Sequence, residues 1–374
     1  MDMTQAQLKV SPGLWALAWR RLRGERLAMI SMAIVVLWLV MIALSFTGVI
    51  AKDWDAEIAV NYAPPTFIGP QGAADKIASG ADDNAPPPEN PLDPLRDIIR
   101  ELRGSSSAAT SSAPQVVDDY GIKDPLEKEM AEIRAELVKE GKQADGPKKE
   151  TLPFGADKWG HDVIKKTIKG AETSIIVGIV AAFLATALGT IFGALAGYYG
   201  KWVDDTFNWF YSVFTSVPYL LLILAVAAVL QQKGVTTIIL ILGLTGWTGT
   251  FRLIRAEYMK HKAREYVWAA DAIGASNMRK MFTHIFPNVS HVALVQISIL
   301  VVSFIKSEVI LSFLGFGVPV GTVSWGSMLN EAQNELILGK WWQLTAASVA
   351  MAVLVTAFSM FTDALRDALD PKLK

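Results

Sequence analysis

Apolar residues gather into runs of about twenty, separated by polar and charged stretches. A bilayer core about 30 Å thick is crossed by about 20 mostly apolar residues in a helix. Six runs reach that length: about Leu27–Ile50, Thr173–Tyr199, Phe207–Leu230, Val235–Leu253, Val289–Leu311 and Trp342–Phe361. The first follows Arg20, Arg21, Arg23 and Arg26. It is longer than a signal-peptide core and lacks a small-residue cleavage site, so it reads as an uncleaved span. In the second, Gly189, Gly193 and Gly197 recur every four residues and share one helix face, a spacing that lets another helix approach closely. Pro218 falls inside the third run, where it predicts a kink.

Six spans place both termini on one side, and the basic loops say which. The N-terminal tail is basic. The stretch after span four holds Arg252, Arg255, Lys260, Lys262, Arg264, Arg279 and Lys280, and the C-terminal tail holds Arg366, Lys372 and Lys374. All three fall on the cytoplasmic side. The loop before span six, with Glu331 and Glu335 against Lys340, falls outside. The short connection Gly200–Thr206 tests this poorly, because Asp204 and Asp205 offset Lys201. The chain therefore divides into a tail 1–26, a span 27–50, an extracytoplasmic segment 51–172, a core 173–362 and a tail 363–374.

Two aqueous segments remain. Pro64–Glu89 reads as turn and coil, Leu95–Leu102 as a short helix, and Leu126, Met130, Ile133 and Leu137 as a narrow apolar stripe in a charged stretch. The whole reads as a solvated loop, or as a docking element for a partner. The second segment, 252–288, predicts two short amphipathic helices at the membrane surface. Tyr266, Ala269, Ala270 and Ile273 form one face. Gly274 ends that helix, and Met278, Met281, Phe282 and Ile285 continue the face until Pro287 stops it. Such helices seat in a partner's groove or lie on the membrane alone.

Composition narrows the chemistry. Of 374 residues 52% are hydrophobic and 19% charged, below the about 25% charge of soluble domains. A net charge of −1 offers no field for nucleic acid. The absence of cysteine excludes disulfides, thiolate metal sites and cysteine nucleophiles. None of His161, His261, His284 and His291 pair at metal-ligand spacing, and no phosphate-cradling G-x-x-x-x-G-K-[ST] loop is present. Nothing here predicts an enzyme. Lys306 and Glu308, two apart in span five, point to different faces. Glu308, Pro218 and Trp247 are the candidates for lining a pathway.

Tyr266–Asn288 resembles the EAA loop of inner-membrane permeases from binding-protein-dependent ABC importers. Ala269, Ala270, Gly274, Ile285 and Pro287 fall on the motif, while Trp268 stands at the family glutamate and Asp271 where close relatives often carry arginine. Further stretches resemble the C-type permease of the peptide/nickel branch: Phe154–Asp162, Ala196–Gly200 with Asp204, Leu311–Gly317, Ser324–Leu329 and Asp363–Pro371. Residues 63–151 look like an insertion beyond the usual family loop.

The resemblance implies an all-α integral membrane protein of the type I importer permease fold, multi-pass in the bacterial inner membrane. It implies coupling through Ala269, Ala270, Asp271, Gly274, Ala275, Ser276, Ile285 and Pro287. The implied partners are a homologous second permease in a heterodimer, one or two cytoplasmic ATPase subunits, an external substrate-binding protein and membrane lipid. The chain itself takes no cofactor, and ATP and Mg belong to the ATPases. The implied cargo is a dipeptide or oligopeptide, with nickel or another small solute as alternatives. An ion-coupled secondary transporter is the rival class. It calls for broken helices and buried carboxylates in matching halves, and the acid-poor spans give it little. A membrane-anchored sensor built on 51–170 would leave the two-helix loop unexplained.

Overall fold

The computed structural model describes residues 14–70, 148–319 and 321–369. The expected helix Leu95–Leu102, the stripe from Leu126 to Leu137 and the tail from Asp370 lie outside them. The described residues form a helical bundle without named strands: α1 Leu14–Gly24, α2 Arg26–Phe46, α3 Val163–Tyr199, α4 Lys201–Thr215, α5 Tyr219–Leu230, α6 Val235–Thr245 and α7 Thr248–Lys262. They continue with α8 Glu265–Ala272, α9 Asn277–Arg279, a π-helical turn Lys280–Ile285, α10 Phe286–Phe313, α11 Trp325–Ile337 and α12 Trp342–Leu369. Among the described residues five helical spans are long and apolar enough to cross a membrane, or six if the bent pair α4–α5 counts as one.

Several expected boundaries move. The basic tail is helical, and Leu22 packs with Ala364, Ala368 and Leu369 of α12. Span two begins ten residues early, because Asp162 caps it by accepting from the Ile164 and Lys165 amides at 2.8 and 3.4 Å. Hydropathy missed this start because the first turns carry Lys165, Lys166, Lys169 and Glu172. Span three does not run straight through a kink. α4 and α5 meet at 86° across Ser216–Pro218, and α4 starts at Lys201, directly after Gly200. Span four has only a local turn at Gly246–Trp247 and continues without a sharp bend as α7 to Lys262. Ala63 and Thr66 pair with Ala156 and Leu152, so the compact unit holds residues through Ile68 and resumes at Thr151.

α3 is the central mast. It approaches α7 so closely that a Cβ at Gly189, Gly193 or Gly197 would lie 2.7 Å from Trp247 O, 2.8 Å from Phe251 O and 2.6 Å from Arg255 O respectively. Gly178 makes the same close contact with α10, where a Cβ would meet Ile305 at 2.5 Å. Small residues admit backbones to this distance, and dispersion then acts along the whole seam. In the Ser324–Leu329 stretch, Ser324 and Ser327 form a reciprocal capping box that starts α11. Gly326 is needed because a side chain there would strike Val309 O and Ser312.

At the end of the bundle away from the basic loop, the chain segments are tied by charge. Lys166 is 4% exposed, and its ammonium donates to Asp157 and Glu331 at 2.6 Å each and to Gln343 at 3.3 Å. Asp157, fully buried, also bonds the His161 ring at 2.9 Å, and Trp342 donates to Ala156 O at 2.6 Å. Burial pushes the Asp157 carboxyl up, but His161 and Lys166 outweigh it and hold it below the usual carboxylate range. The neighbouring Glu335 is raised to about 7, by burial first and against the pull of Lys166.

Two outcomes follow. Lys166→Met strands the Asp157 charge. It should cost about 3–5 kcal/mol and lower the unfolding midpoint in detergent, and adding Asp157→Asn should restore part of it. Glu335 takes its proton more readily folded than unfolded, so it erodes stability as pH rises from about 4.5 to about 7. Glu335→Gln should flatten thermal stability across that window, and an unchanged slope in a pH series would refute the assignment.

Candidate functional site

The basic end is built on α7. Its last turns carry Tyr258, fully buried, whose hydroxyl donates to Met281 O at 3.2 Å. Lys262 donates to Tyr198 O at 2.6 Å, and the Tyr198 hydroxyl donates to Asn277 Oδ1 at 3.0 Å. The surface helix α8 therefore sits between fixed points on α7, α3 and the start of α9.

α8 ends in a closed turn. Gly274 adopts φ +81°, the Ala275 amide donates to Ala270 O at 3.0 Å, and the Gly274 amide donates to Asp271 O at 2.9 Å. This pair of bonds is a Schellman motif, which satisfies carbonyls that a helix end leaves bare. Ser276 then caps the next helix through the Arg279 amide. The Asp271 carboxylate pairs with Lys280 at 2.5 Å across the turn. Two helices thus meet at a fixed angle, held by two backbone bonds, a cap and an ion pair.

The expected coupling residues divide by exposure. Ala270 and Ile285 are buried and anchor the unit, Ala275 is half-buried, and Ala269, Asp271, Gly274, Ser276 and Pro287 are exposed. Pro287 does not stop the helix. It lies in the first turn of α10, and the chain runs from Asn277 to Phe313 as one span-length helix. The π turn at Lys280–Ile285 precedes it, and its wider winding accommodates a residue that has no amide hydrogen and whose ring crowds the preceding turn.

The expected apolar face is also redrawn. Val267, Ala270, Met281 and Ile285 face inward, while Tyr266 and Ala269 are exposed. Trp268 is 64% exposed, Ile273 83%, Met278 54% and Phe282 42%. Sequence reasoning missed this outward apolar surface. A helix of eight residues has barely two turns, so its apolar spacing fits either phase. The available signal was the tryptophan at the family's glutamate position. Apolar side chains clustered outward beside Arg264 and Arg279 mark an interaction surface.

The three pathway candidates are not brought together. Trp247 is buried in a cluster with Phe192, Phe214 and Phe251, with ring centroids 5.3–5.5 Å away. Glu308 is fully buried, accepts from Ser312 at 2.6 Å and faces Ser174 and Ser324. Pro218 is exposed at the head of α5. Lys306 faces outward, opposite in sense to Glu308.

Fold and site together define a multi-span membrane protein whose basic end presents a rigidly held helix with an outward apolar surface. Comparison with known proteins makes this specific. Residues 189–374 match the family of binding-protein-dependent transport system inner membrane components, and residues 13–65 match the N-terminal TM domain of oligopeptide transport permease C. The chain is 37% identical over 221 residues to the dipeptide transport system permease protein DppC of Bacillus subtilis (strain 168), covering 59% of this chain and 69% of that one. It is 36% identical over 231 residues to the oligopeptide transport system permease protein OppC of the same organism, covering 62% and 75%. Among solved structures it is similar to an inward-facing MetNI methionine ABC transporter, with a TM-score of 0.44, 15% identity and coverage of 55% and 96%. The chain belongs to the binding-protein-dependent transport system inner membrane components, and is a multi-pass permease of the inner membrane.

The turn at Gly274 has open space around it, so its constraint is conformational and not steric crowding. Gly274→Val, a β-branched residue forced to positive φ, should lower transport while the chain still inserts. Gly274→Asn, which tolerates that region, should retain most activity. Equal transport by the valine and asparagine variants would exclude a role for this turn.

Proposed function

We propose that this chain is one of two permease subunits of an ATP-driven importer for dipeptides or oligopeptides. It pairs with a homologous second permease. Cytoplasmic ATPase subunits dock on α8 around Ala269–Ser276, and a binding protein on the outer face delivers cargo. The observation that carries the reading is the helix–turn–helix at Gly274, locked to α7 and α3 yet apolar on its outward side. A rigid, exposed docking element is what one subunit needs to push on another. ATP and Mg belong to the partner chains, because this sequence carries no phosphate loop. The positive-inside pattern supports cytoplasmic termini and a cytoplasmic α8. Peptide cargo is supported by the relatives, which are dipeptide and oligopeptide transport system permeases.

On this reading ATP favours the state in which the ATPases close, and α8 carries that preference into the membrane. The exposed Pro218 lies where span three changes direction, a place suited to a hinge. The test is purification of the tagged chain from gently solubilised membranes, followed by reconstitution with its binding protein. A second permease and P-loop ATPases should co-purify, and vesicles should take up dipeptides or oligopeptides only with ATP. A chain that purifies alone and moves solute down an ion gradient would sink the proposal.

A further inference from the structure

The break in span three lies at the level of the turn in span four. α4 ends at Thr215, α6 at Thr245, and Phe214 packs on Trp247 at 5.5 Å. From that level toward the basic end, α4 lies along α7. Trp247, Phe251 and Arg255 recur every four residues and form one stripe. Against them stand Phe214, then Tyr211 stacked on Phe251 at 5.8 Å, then Asp204. α4 buries none of its own residues. Its rings meet those of α7 in neutral contacts, which fix the register of the two helices less firmly than a paired charge does. Arg252 donates to the exposed Tyr211 hydroxyl at 3.2 Å, and the stronger, two-pronged tie is at the far end, where Arg255 Nε and Nη2 donate to Asp204 Oδ1 and Oδ2 at 2.5 and 2.6 Å. A two-pronged guanidinium–carboxylate pair fixes orientation as well as distance. Asn208 also donates to Asp204 Oδ1, at 2.8 Å, holding the carboxylate in place.

The Arg255 backbone is packed tightly against α3. Gly193 and Gly197 of α3 press against its amide and carbonyl, and Tyr258, one turn on, is bonded to Met281. The surface helix, the inner half of span four and α4 thus meet at Arg255, the one residue here that grips α4 with two charged hydrogen bonds.

We propose that Asp204 and Arg255 are positioning residues for transport: their ion pair fastens α4 to α7, so that displacement of the surface helix swings the inner half of span three about the break at Ser216–Pro218. This rests on the coupling role proposed for α8. Without the pair, α7 moves and α4 slips.

The chain has no cysteine, so Ser216→Cys gives one labelling site in it, on an exposed residue at the break. The assembled complex with its ATPases and binding protein is reconstituted in vesicles. ATP hydrolysis, peptide uptake and labelling of this chain are read with and without vanadate trapping. In the unmodified pair, trapping should change the labelling rate. Asp204→Asn should keep the ATPases bound and hydrolysing, lower uptake by about tenfold or more, and abolish the change in labelling. The exchange Asp204→Arg with Arg255→Asp should recover both uptake and the labelling change. Labelling that still responds in Asp204→Asn, or full uptake by it, overturns the proposal. So does loss of the ATPases from the single variant and the exchange alike, which would make the pair a folding element only. ATP-driven uptake by the unmodified complex separates the two levels, since it upholds the importer reading whichever way the variants fall.

Discussion

The close approach of α3 and α7 is the constraint on which the rest depends. Three glycines at four-residue intervals bring the α3 backbone to within side-chain distance of the Trp247, Phe251 and Arg255 carbonyls. In a bilayer, helices gain little from leaving lipid, since lipid tails are as apolar as leucine. Cohesion must come from contact itself, and contact is greatest where nothing intervenes between backbones. The seam has a second consequence. It aligns the end of α3, which bears Tyr198, with the end of α7, which bears Tyr258 and Lys262, and these three hold the surface helix pair.

The two ends of the bundle are held by different physics. At the end with Lys166 the attachments are buried charges, which cost much to desolvate and repay it only when every oxygen is partnered. Such a network resists partial opening, because losing one member leaves another charge stranded. At the basic end the attachments are a backbone turn, a cap and ion pairs that are partly exposed. Those are directional but cheaper to strain. One end is thus suited to stay shut as a unit and the other to move as a unit.

Much of this was legible in the residues. Apolar run length located the spans, glycine spacing located the seam, and Gly274 marked the turn, because each reflects a local rule with one dominant cause. Helix ends were read less well. Polar first turns hid the start of α3, and the basic tail proves helical over Leu14–Gly24. Of the face read on α8, Ala270 is buried while Tyr266, Ala269 and Ile273 are exposed. Trp268 and Ile273 are apolar yet exposed, an arrangement that suits cover by a partner or by the membrane surface.

By itself the sequence determined that the chain crosses a membrane several times, which end is basic, which helix faces are small, and where one glycine must break a helix. Hydropathy, charge and backbone freedom are properties of residues and their near neighbours, so they can be read in order along the chain. Only the tertiary structure decided that Pro218 and Trp247 mark a break and a turn at one level and that Glu308 turns inward while Lys306 turns out. It alone joined Asp204 to Arg255, 51 residues apart in sequence, and Lys166 to Asp157, Glu331 and Gln343. Pairing of charges depends on which helices become neighbours, and that is settled by how closely their surfaces pack rather than by any local pattern.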